Sequence, residues 1–159
     1  MWNNRMNPSK NLQGLGLRLP ESAAPIGSYI PANRSGNLIF TSGQLPFREG
    51  KLTCTGKVPT DISVEQAAAA AEQAMLNALA AATKIAGGID KITRVVRVCV
   101  YVNSAPTFIE QPKVANGASD LLGGIFGDAG RHVRSAVGVA ELPLNAAVEL
   151  ELTVEISGA

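Results

Sequence analysis

A run of alternating apolar and polar residues near the end of the chain is the strongest constraint on its fold. Successive side chains of a strand point to opposite faces of the sheet. Residues 147–156 therefore predict a strand with one buried face and one polar face. The buried face carries Val148, Leu150, Leu152, Val154 and Ile156, and the polar face carries Glu149, Glu151, Thr153 and Glu155. A fold that contains this strand needs a second layer to cover the apolar face.

Two helices are predicted to supply that layer. The first spans residues 63–86, where Ser63 and Gln66 fit a capping box, alanines fill 67–71 and Gly87-Gly88 end the helix. Its small apolar residues recur at helical spacing, which predicts one buried stripe. The second helix begins at Pro112 and runs to about 126, with Gly117 as a helix-breaking residue near its middle.

The remaining apolar runs predict further strands. Residues 37–42 form a strand that residues 51–55 can join through a turn at 48–50, with room for one more strand before them. Residues 93–102 place Val96, Val98, Val100 and Val102 on the core face, and the strand at 135–141 precedes the last strand. The predicted fold is α+β: a mixed sheet of about six strands with two helices packed on one face. The opposite, semi-polar face, around Arg97, Cys99 and Tyr101, suits a site or a subunit interface.

Composition excludes several classes of protein. The chain has 159 residues, the size of one domain, and its net charge of +1 argues against a nucleic-acid partner on electrostatic grounds. One histidine and two cysteines cannot supply the usual structural zinc sites, so no metal is expected. No apolar run is long enough for a membrane span, and residues 1–10 predict a frayed arm rather than a signal peptide. We expect a reduced, cytoplasmic protein.

Three side chains are candidates for chemistry. Arg134 enters a strand in phase with Ala136, Gly138 and Ala140, which leaves space for a carboxylate to bind its guanidinium through two hydrogen bonds. The alternative is a structural salt bridge to Glu149, Glu151 or Glu155.

Glu149 lies near 138–140 if the last two strands form a hairpin around Leu144, and a carboxylate there could orient or deprotonate water. The alternative is a solvated strand glutamate. His132 could be a general base, but its position beside two arginines favours a surface or interface residue.

Four stretches carry a resemblance to a known family. They are residues 24–29, residues 36–46, Val100-Tyr101-Val102-Asn103 followed by Phe108, and residues 134–143 leading to 148–151. Together they resemble the RidA (YjgF) family, whose older labels are endoribonuclease L-PSP and translation-initiation inhibitor. The likeness covers roughly residues 22–156. It implies a single RidA/YjgF-like domain over 22–159, preceded by a partly flexible N-terminal extension over 1–21.

The resemblance implies a chorismate-mutase-like sandwich that assembles as a homotrimer, with sites in clefts between subunits. Characterised members hydrolyse enamines and imines such as 2-aminoacrylate to 2-keto acids and ammonia, without metal or organic cofactor. The family arginine that holds the substrate carboxylate falls on Arg134, and the glutamate that positions water falls on Glu149. Further substrate contacts fall on Tyr29, Gly43 and Asn116.

Two departures separate this chain from the family pattern. Ala136 stands where the family has a cysteine, and an insertion at Glu110-Gln111-Pro112 follows Phe108, as in a longer subgroup. The leading hypothesis is a 2-iminobutanoate/2-iminopropanoate deaminase-like hydrolase. The alternatives are a non-catalytic, regulatory binder of small carboxylates and, with less support because of the low net charge, an endoribonuclease.

Overall fold

The computed structural model describes residues 7–24 and 27–158 of the chain. These ranges contain the helices α1 (Pro8–Gly14), α2 (Val64–Ala86) and α3 (Gln111–Phe126). The strands are β1 (Ala32–Ser35), β2 (Leu38–Thr41), β3 (Phe47–Arg48), β4 (Lys51–Leu52), β5 (Ile92–Asn103), β6 (Val133–Val139) and β7 (Val148–Ile156). The main sheet has the strand order β1-β2-β7-β5-β6, and β3 and β4 form a separate hairpin. The α+β architecture predicted from the sequence is confirmed, with five strands in the main sheet rather than six.

The core lies between one face of the sheet and helices α2 and α3. Helix α2 packs against α3 and β7, and Val98, Val100 and Val102 of β5 and the buried apolar residues of β7 face the helices. The alternation in β7 is complete, since Val148, Leu150, Leu152, Val154 and Ile156 are all buried. The capping box at Ser63 and Gln66 is present, and Gly87 ends α2 in the left-handed conformation. The local signals at both ends of α2 therefore act as the sequence indicates.

Strand β5 differs from its predicted pattern at its first half. Irregularities in its pairing with β7 occur between Ile92 and Arg94 and between Val95 and Arg97. An extra residue in one strand reverses the faces of the residues around it. Val95 is consequently buried, whereas Val96, predicted on the core face, is only half-buried. Beyond the irregularity, Val98, Val100 and Val102 are buried as predicted.

Two predicted strand pairings are wrong. Residues 51–55 do not join β2, because β2 lies between β1 and β7 and both of its edges are occupied. The last two strands do not form a hairpin, because β6 pairs with β5 in parallel and β5 separates it from β7. Since hydrophobic patterning sets the face of a strand but not its neighbour, these pairings depend on tertiary packing.

The N-terminal segment that the structure describes is folded against the domain. Residues 1–6 of the predicted arm lie outside the described residues, but Pro8–Gly14 form α1, capped by the Asn7 side chain. Leu12 is buried, and the Asn11 side-chain amide donates a hydrogen bond of 2.8 Å to the carbonyl of Ile125 in α3. The Ser9 hydroxyl donates to Asp90. Residues 8–10 are thus helical, where the sequence predicts a frayed arm.

Candidate functional site

Arg134 lies on β6 at one edge of the main sheet. In the pairing of the strands, Arg134 stands beside Val98 of β5, which stands beside Leu152 of β7. Val98 and Leu152 are buried under the helices, so Arg134 points to the same side. Its Nη1 donates hydrogen bonds to Asn116 Oδ1 at 2.8 Å and to Ser119 Oγ at 3.0 Å, and both acceptors belong to α3. The edge position leaves this half-buried guanidinium next to a helix and open to the outside.

The alternative that Arg134 is held in a salt bridge to Glu149, Glu151 or Glu155 is wrong for this fold. Glu155 pairs with Arg94, with 2.7 Å between Oε2 and Nε. Glu149 and Glu151 lie on the other face of the sheet. Within the described ranges, Arg134 therefore has neutral partners only, and its charge is available to an anionic ligand.

Glu149 lies on β7 and faces away from the helices. It stands opposite Tyr101 of β5, three residues beyond Val98, so it occupies the open face of the sheet. Its side chain rests on Gly43: a Cβ atom at position 43 would overlap the carboxylate oxygen and approach Glu149 Cδ to 2.9 Å. The absence of a side chain at Gly43 is thus what makes room for this carboxylate.

The pKa of Glu149 is raised from its ordinary value. Burial is the largest cause, and the negative charge of Glu151 on the same strand face adds to it. Both effects disfavour the ionised form. No cationic neighbour among the described residues offsets them. A carboxyl group with a raised pKa accepts a proton more readily than an ordinary glutamate, which suits a group that takes a proton from water.

Tyr29 and Gly43 line the same small crevice, which has a volume of about 90 Å³. Tyr29 itself is about half exposed. Two neighbours in the sequence stretch that identified Tyr29, Pro25 and Ile26, lie outside the described residues. The crevice joins the N-terminal loop to the segment after β2, close to the Glu149 carboxylate.

The five candidate residues therefore form two groups that the fold keeps apart. The arginine group consists of Arg134 and Asn116, together with Ser119. The glutamate group consists of Glu149, Gly43 and Tyr29. The prediction that Glu149 lies near 138–140 is wrong, because β5 lies between and the two groups occupy opposite faces of the sheet. One chain alone does not bring the guanidinium and the carboxylate to one ligand.

Sequence reasoning missed Ser119 and the surroundings of His132. The imidazole is half-buried, with Nε2 at 2.9 Å from Ser119 Oγ and Nδ1 at 2.7 Å from the carbonyl oxygen of Gly130. The available signal was helical spacing: Ser119 follows Asn116 by three residues and therefore shares its face of α3.

The open face of the sheet carries a groove of about 340 Å³ beside Arg97, Cys99 and Glu151. On this face the Tyr101 hydroxyl donates a hydrogen bond of 2.9 Å to Glu151 Oε1. This bond, followed by burial and nearby negative charge, raises the pKa of Tyr101 to about 12. Tyr101 is thus a neutral hydrogen-bond donor at physiological pH rather than a base.

Metal-ligand clusters and membrane-spanning helices are two further features that bear on function. In the described part of the chain, no three histidine, cysteine, aspartate or glutamate side chains come together in a way that could hold a metal ion. Neither does any helix there combine the length and the apolar character needed to span a bilayer.

A mixed sheet covered on one face by two helices, with an arginine on its edge strand and a glutamate on its open face, defines a small α+β protein of the chorismate-mutase-like class. Residues 9–156 match the family model described as "YjgF/chorismate_mutase-like, putative endoribonuclease". The chain belongs to this family, the YjgF/RidA family, as its sequence motifs indicated.

Several relatives fit this assignment. Protein TCP17 of Trypanosoma cruzi is 44% identical over 148 residues, which cover 92% of this chain and 92% of the relative. A 2-iminobutanoate/2-iminopropanoate deaminase of Dermatophagoides farinae is 31% identical over 140 residues, covering 88% and 94%. The crystal structure of a Shewanella oneidensis protein described as a "putative endoribonuclease" superposes with a TM-score of 0.91 at 39% identity, covering 94% of this chain and 99% of that one.

Proposed function

We propose that this protein hydrolyses reactive enamine or imine intermediates of the 2-aminoacrylate type to 2-keto acids and ammonia. The observation that carries the proposal is the pair of groups described above: an arginine with only neutral partners, and a half-buried glutamate of raised pKa. The deaminase name of the D. farinae relative supports the same reaction.

The arginine group would bind the substrate carboxylate. A guanidinium holds a carboxylate through two parallel hydrogen bonds, which fixes both its position and its orientation. Asn116 and Ser119 occupy Nη1 and so hold the guanidinium in place. The imine carbon attached to that carboxylate is then fixed in space, which favours attack by a positioned water molecule.

The glutamate group would supply that water. Glu149 accepts a proton as water adds to the carbon of the C=N bond, and the nitrogen takes up a proton to give a carbinolamine. The C–N bond then breaks with proton transfer to nitrogen, so that ammonia leaves and a C=O bond forms. Gly43 and Tyr29, beside Glu149, would contact the substrate. An enamine first needs only a proton shift to become the imine.

The site would be completed between subunits of a homotrimer. Because the two groups lie on opposite faces of the sheet, a ligand that touches both must lie where the sheet edge of one chain meets the open face of another. Burial of that face in a subunit contact also accounts for the low share of charged residues, 17% of the chain.

Replacement of Arg134 tests this function. With an imine of a 2-amino acid generated in the assay, Arg134→Ala should lower kcat/KM for 2-keto acid formation by about 100-fold or more, because charge-assisted hydrogen bonds to the carboxylate are lost. The matched control is Arg94→Ala, which removes an exposed arginine of β5 paired with Glu155 and should leave turnover unchanged.

Other outcomes separate the alternatives. Normal turnover by a correctly assembled Arg134→Ala protein excludes the proposed reaction. Binding of 2-keto acids without turnover of any imine in a panel would instead establish a regulatory carboxylate binder. RNA cleavage that survives repurification and is lost in Arg134→Ala would establish a nuclease.

A further inference from the structure

A cavity of about 320 Å³ lies beside Arg134, between the second half of α3 and the start of β6. Its lining residues are Ser119, Gly123, Gly130, Arg131, His132 and Arg134. Four of them form an unbroken series of hydrogen bonds, which begins at the Arg134 guanidinium, passes through Ser119 and His132 and ends at the Gly130 carbonyl. In the reaction proposed above, Ser119 serves only to hold the guanidinium, and His132 has no role.

The direction of each hydrogen bond in this series follows from covalent chemistry. The Gly130 carbonyl can only accept, so His132 Nδ1 carries a hydrogen. In the neutral imidazole, Nε2 is then an acceptor, and the Ser119 hydroxyl must donate to it across 2.9 Å. The lone pairs of Ser119 Oγ are thereby left for Arg134 Nη1, which donates across 3.0 Å.

This series determines which edge of the guanidinium remains free. Nη1 has two hydrogens, and Ser119 and Asn116 accept both of them. The hydrogens of Nε and Nη2 point away from Ser119 and Asn116, and they have no acceptor in the described part of the chain. They form the side edge of the guanidinium, which matches the two oxygens of a carboxylate.

We propose that Ser119 and His132 are positioning residues that fix Arg134 so that its Nε–Nη2 edge is presented to the substrate carboxylate. The proposal rests on the carboxylate-binding role assigned to Arg134 above. His132 fixes the hydroxyl of Ser119, Ser119 and Asn116 hold Nη1, and the carboxylate meets an edge that is already oriented. Pre-orientation of this kind strengthens binding, because less rotational freedom is lost when the ligand arrives.

The tautomer of His132 provides a test that needs no ligand and no activity. The chain has a single histidine, so the imidazole nitrogen signals in a ¹⁵N NMR spectrum belong to His132 alone. The neutral ring should carry its hydrogen on Nδ1, and Ser119→Ala should shift the Nε2 signal because its donor is removed. A ring with its hydrogen on Nε2, or an Nε2 signal that ignores the substitution, would overturn the proposal.

Binding of a 2-keto acid such as pyruvate, followed by calorimetry, tests the effect on Arg134. Ser119→Ala should weaken binding by about 5- to 10-fold, which lies within the usual net cost of losing one hydrogen bond, because Ser119 acts on the ligand only through Arg134. Ser119→Thr retains the hydroxyl and should stay within about 2-fold of the unaltered protein. In turnover assays the loss should appear in KM, with kcat nearly unchanged, and a merely structural defect would not divide in this way.

A double substitution tests whether the two residues act through one path. His132→Ala alone should weaken binding by an amount similar to Ser119→Ala, and the double variant should be no weaker than Ser119→Ala alone, since the bond between them is already lost. Losses of affinity that add in the double variant would show that Ser119 and His132 act independently, and would overturn the proposal. His132→Ala also keeps the test decisive if Ser119→Ala fails to fold.

Arg134→Ala separates this proposal from the proposed function. If pyruvate binding does not depend on Arg134, the carboxylate-binding role itself is wrong. If binding is lost in Arg134→Ala but intact in Ser119→Ala and in His132→Ala, only the positioning role is wrong.

Discussion

Two side chains of opposite charge are each left without an ionic partner in the described chain. The guanidinium of Arg134 has the neutral acceptors Asn116 and Ser119, and the carboxylate of Glu149 rests on Gly43 beside a second glutamate. Stable folds usually pair a partly buried charge, because burial without a partner costs free energy. Both residues therefore have the properties expected of functional groups, as the proposed reaction requires.

The raised pKa of Glu149 makes a prediction about stability and activity. The pKa of the Glu149 carboxyl is higher in the folded state than in the unfolded state, where it is about 4.3. The contribution of this group to stability is therefore fully present below the unfolded-state pKa, and it is lost as the pH rises through the folded-state pKa. Glu149→Gln should therefore raise the melting temperature at pH 7 and leave it unchanged below about pH 4. The same variant should lose about 100-fold in kcat, because a general base is removed.

Thermal unfolding at the two pH values checks the stability effect of that substitution. Glu155→Gln is the control, since it removes a surface salt bridge to Arg94 and should not raise the melting temperature. A Glu149→Gln protein that melts below the unaltered protein at pH 7 would contradict the cause assigned to the pKa shift.

Among the elements, the contact between α2 and α3 shows how a residue that weakens a helix can be required by packing. Gly117 lies in the middle of α3, where the sequence identifies it as a helix-breaking residue. In the fold, a Cβ atom at this position would overlap the backbone carbonyl of Ala68 in α2. Gly117 thus permits the two helix backbones to approach closely, which brings α3 onto the sheet beside Arg134.

Two alanine substitutions in α3 should therefore have opposite effects on the free energy of unfolding. Gly117→Ala should destabilise the protein by about 1–3 kcal/mol, because the helices must separate to admit the methyl group. Gly123→Ala, where a Cβ atom has no neighbour within 4 Å, should stabilise it by about 0.5–1 kcal/mol through helix propensity alone. Urea unfolding of both variants measures the difference, and an increase in stability for Gly117→Ala would show that the helix contact is not tight.

At the level of the whole molecule, sheet topology separates the two groups of site residues. The crossover from β5 through α3 to the parallel strand β6 places Arg134 on the helix side of the sheet edge. The antiparallel strand β7 places Glu149 on the open side. A second copy of the chain is therefore the simplest means of completing a site that uses both.

Subunit mixing tests this arrangement. Arg134→Ala and Glu149→Gln should each be inactive alone. If the proposed homotrimer forms from equal amounts of both chains, it should recover about one quarter of full activity, because each proposed site draws one residue from each of two neighbours. The measurement is imine hydrolysis after joint refolding or coexpression, with separately assembled trimers mixed afterwards as the control. Activity that stays at the level of the single variants would show that both residues act from one chain.

The sequence predicted the elements well because their signals are local. The capping box at Ser63, the alanines of α2 and the alternation in β7 act through neighbouring residues, so they were visible without the fold. The motif around Arg134 likewise identified the family and the residues to test. The irregularity that buries Val95 instead of Val96 left no such signal, because it arises where β5 pairs with β7.

The sequence by itself therefore determined the fold class, the two helices and the identity of the candidate residues. Only the tertiary structure decided that β5 separates β6 from β7, that Gly43 rather than a neighbouring strand residue meets Glu149, and that Ser119 and His132 stand behind Arg134. The physical reason is that side-chain alternation and capping fix local conformation and the buried face. Strand neighbours and contacts between distant residues depend on how the sheet and helices pack together.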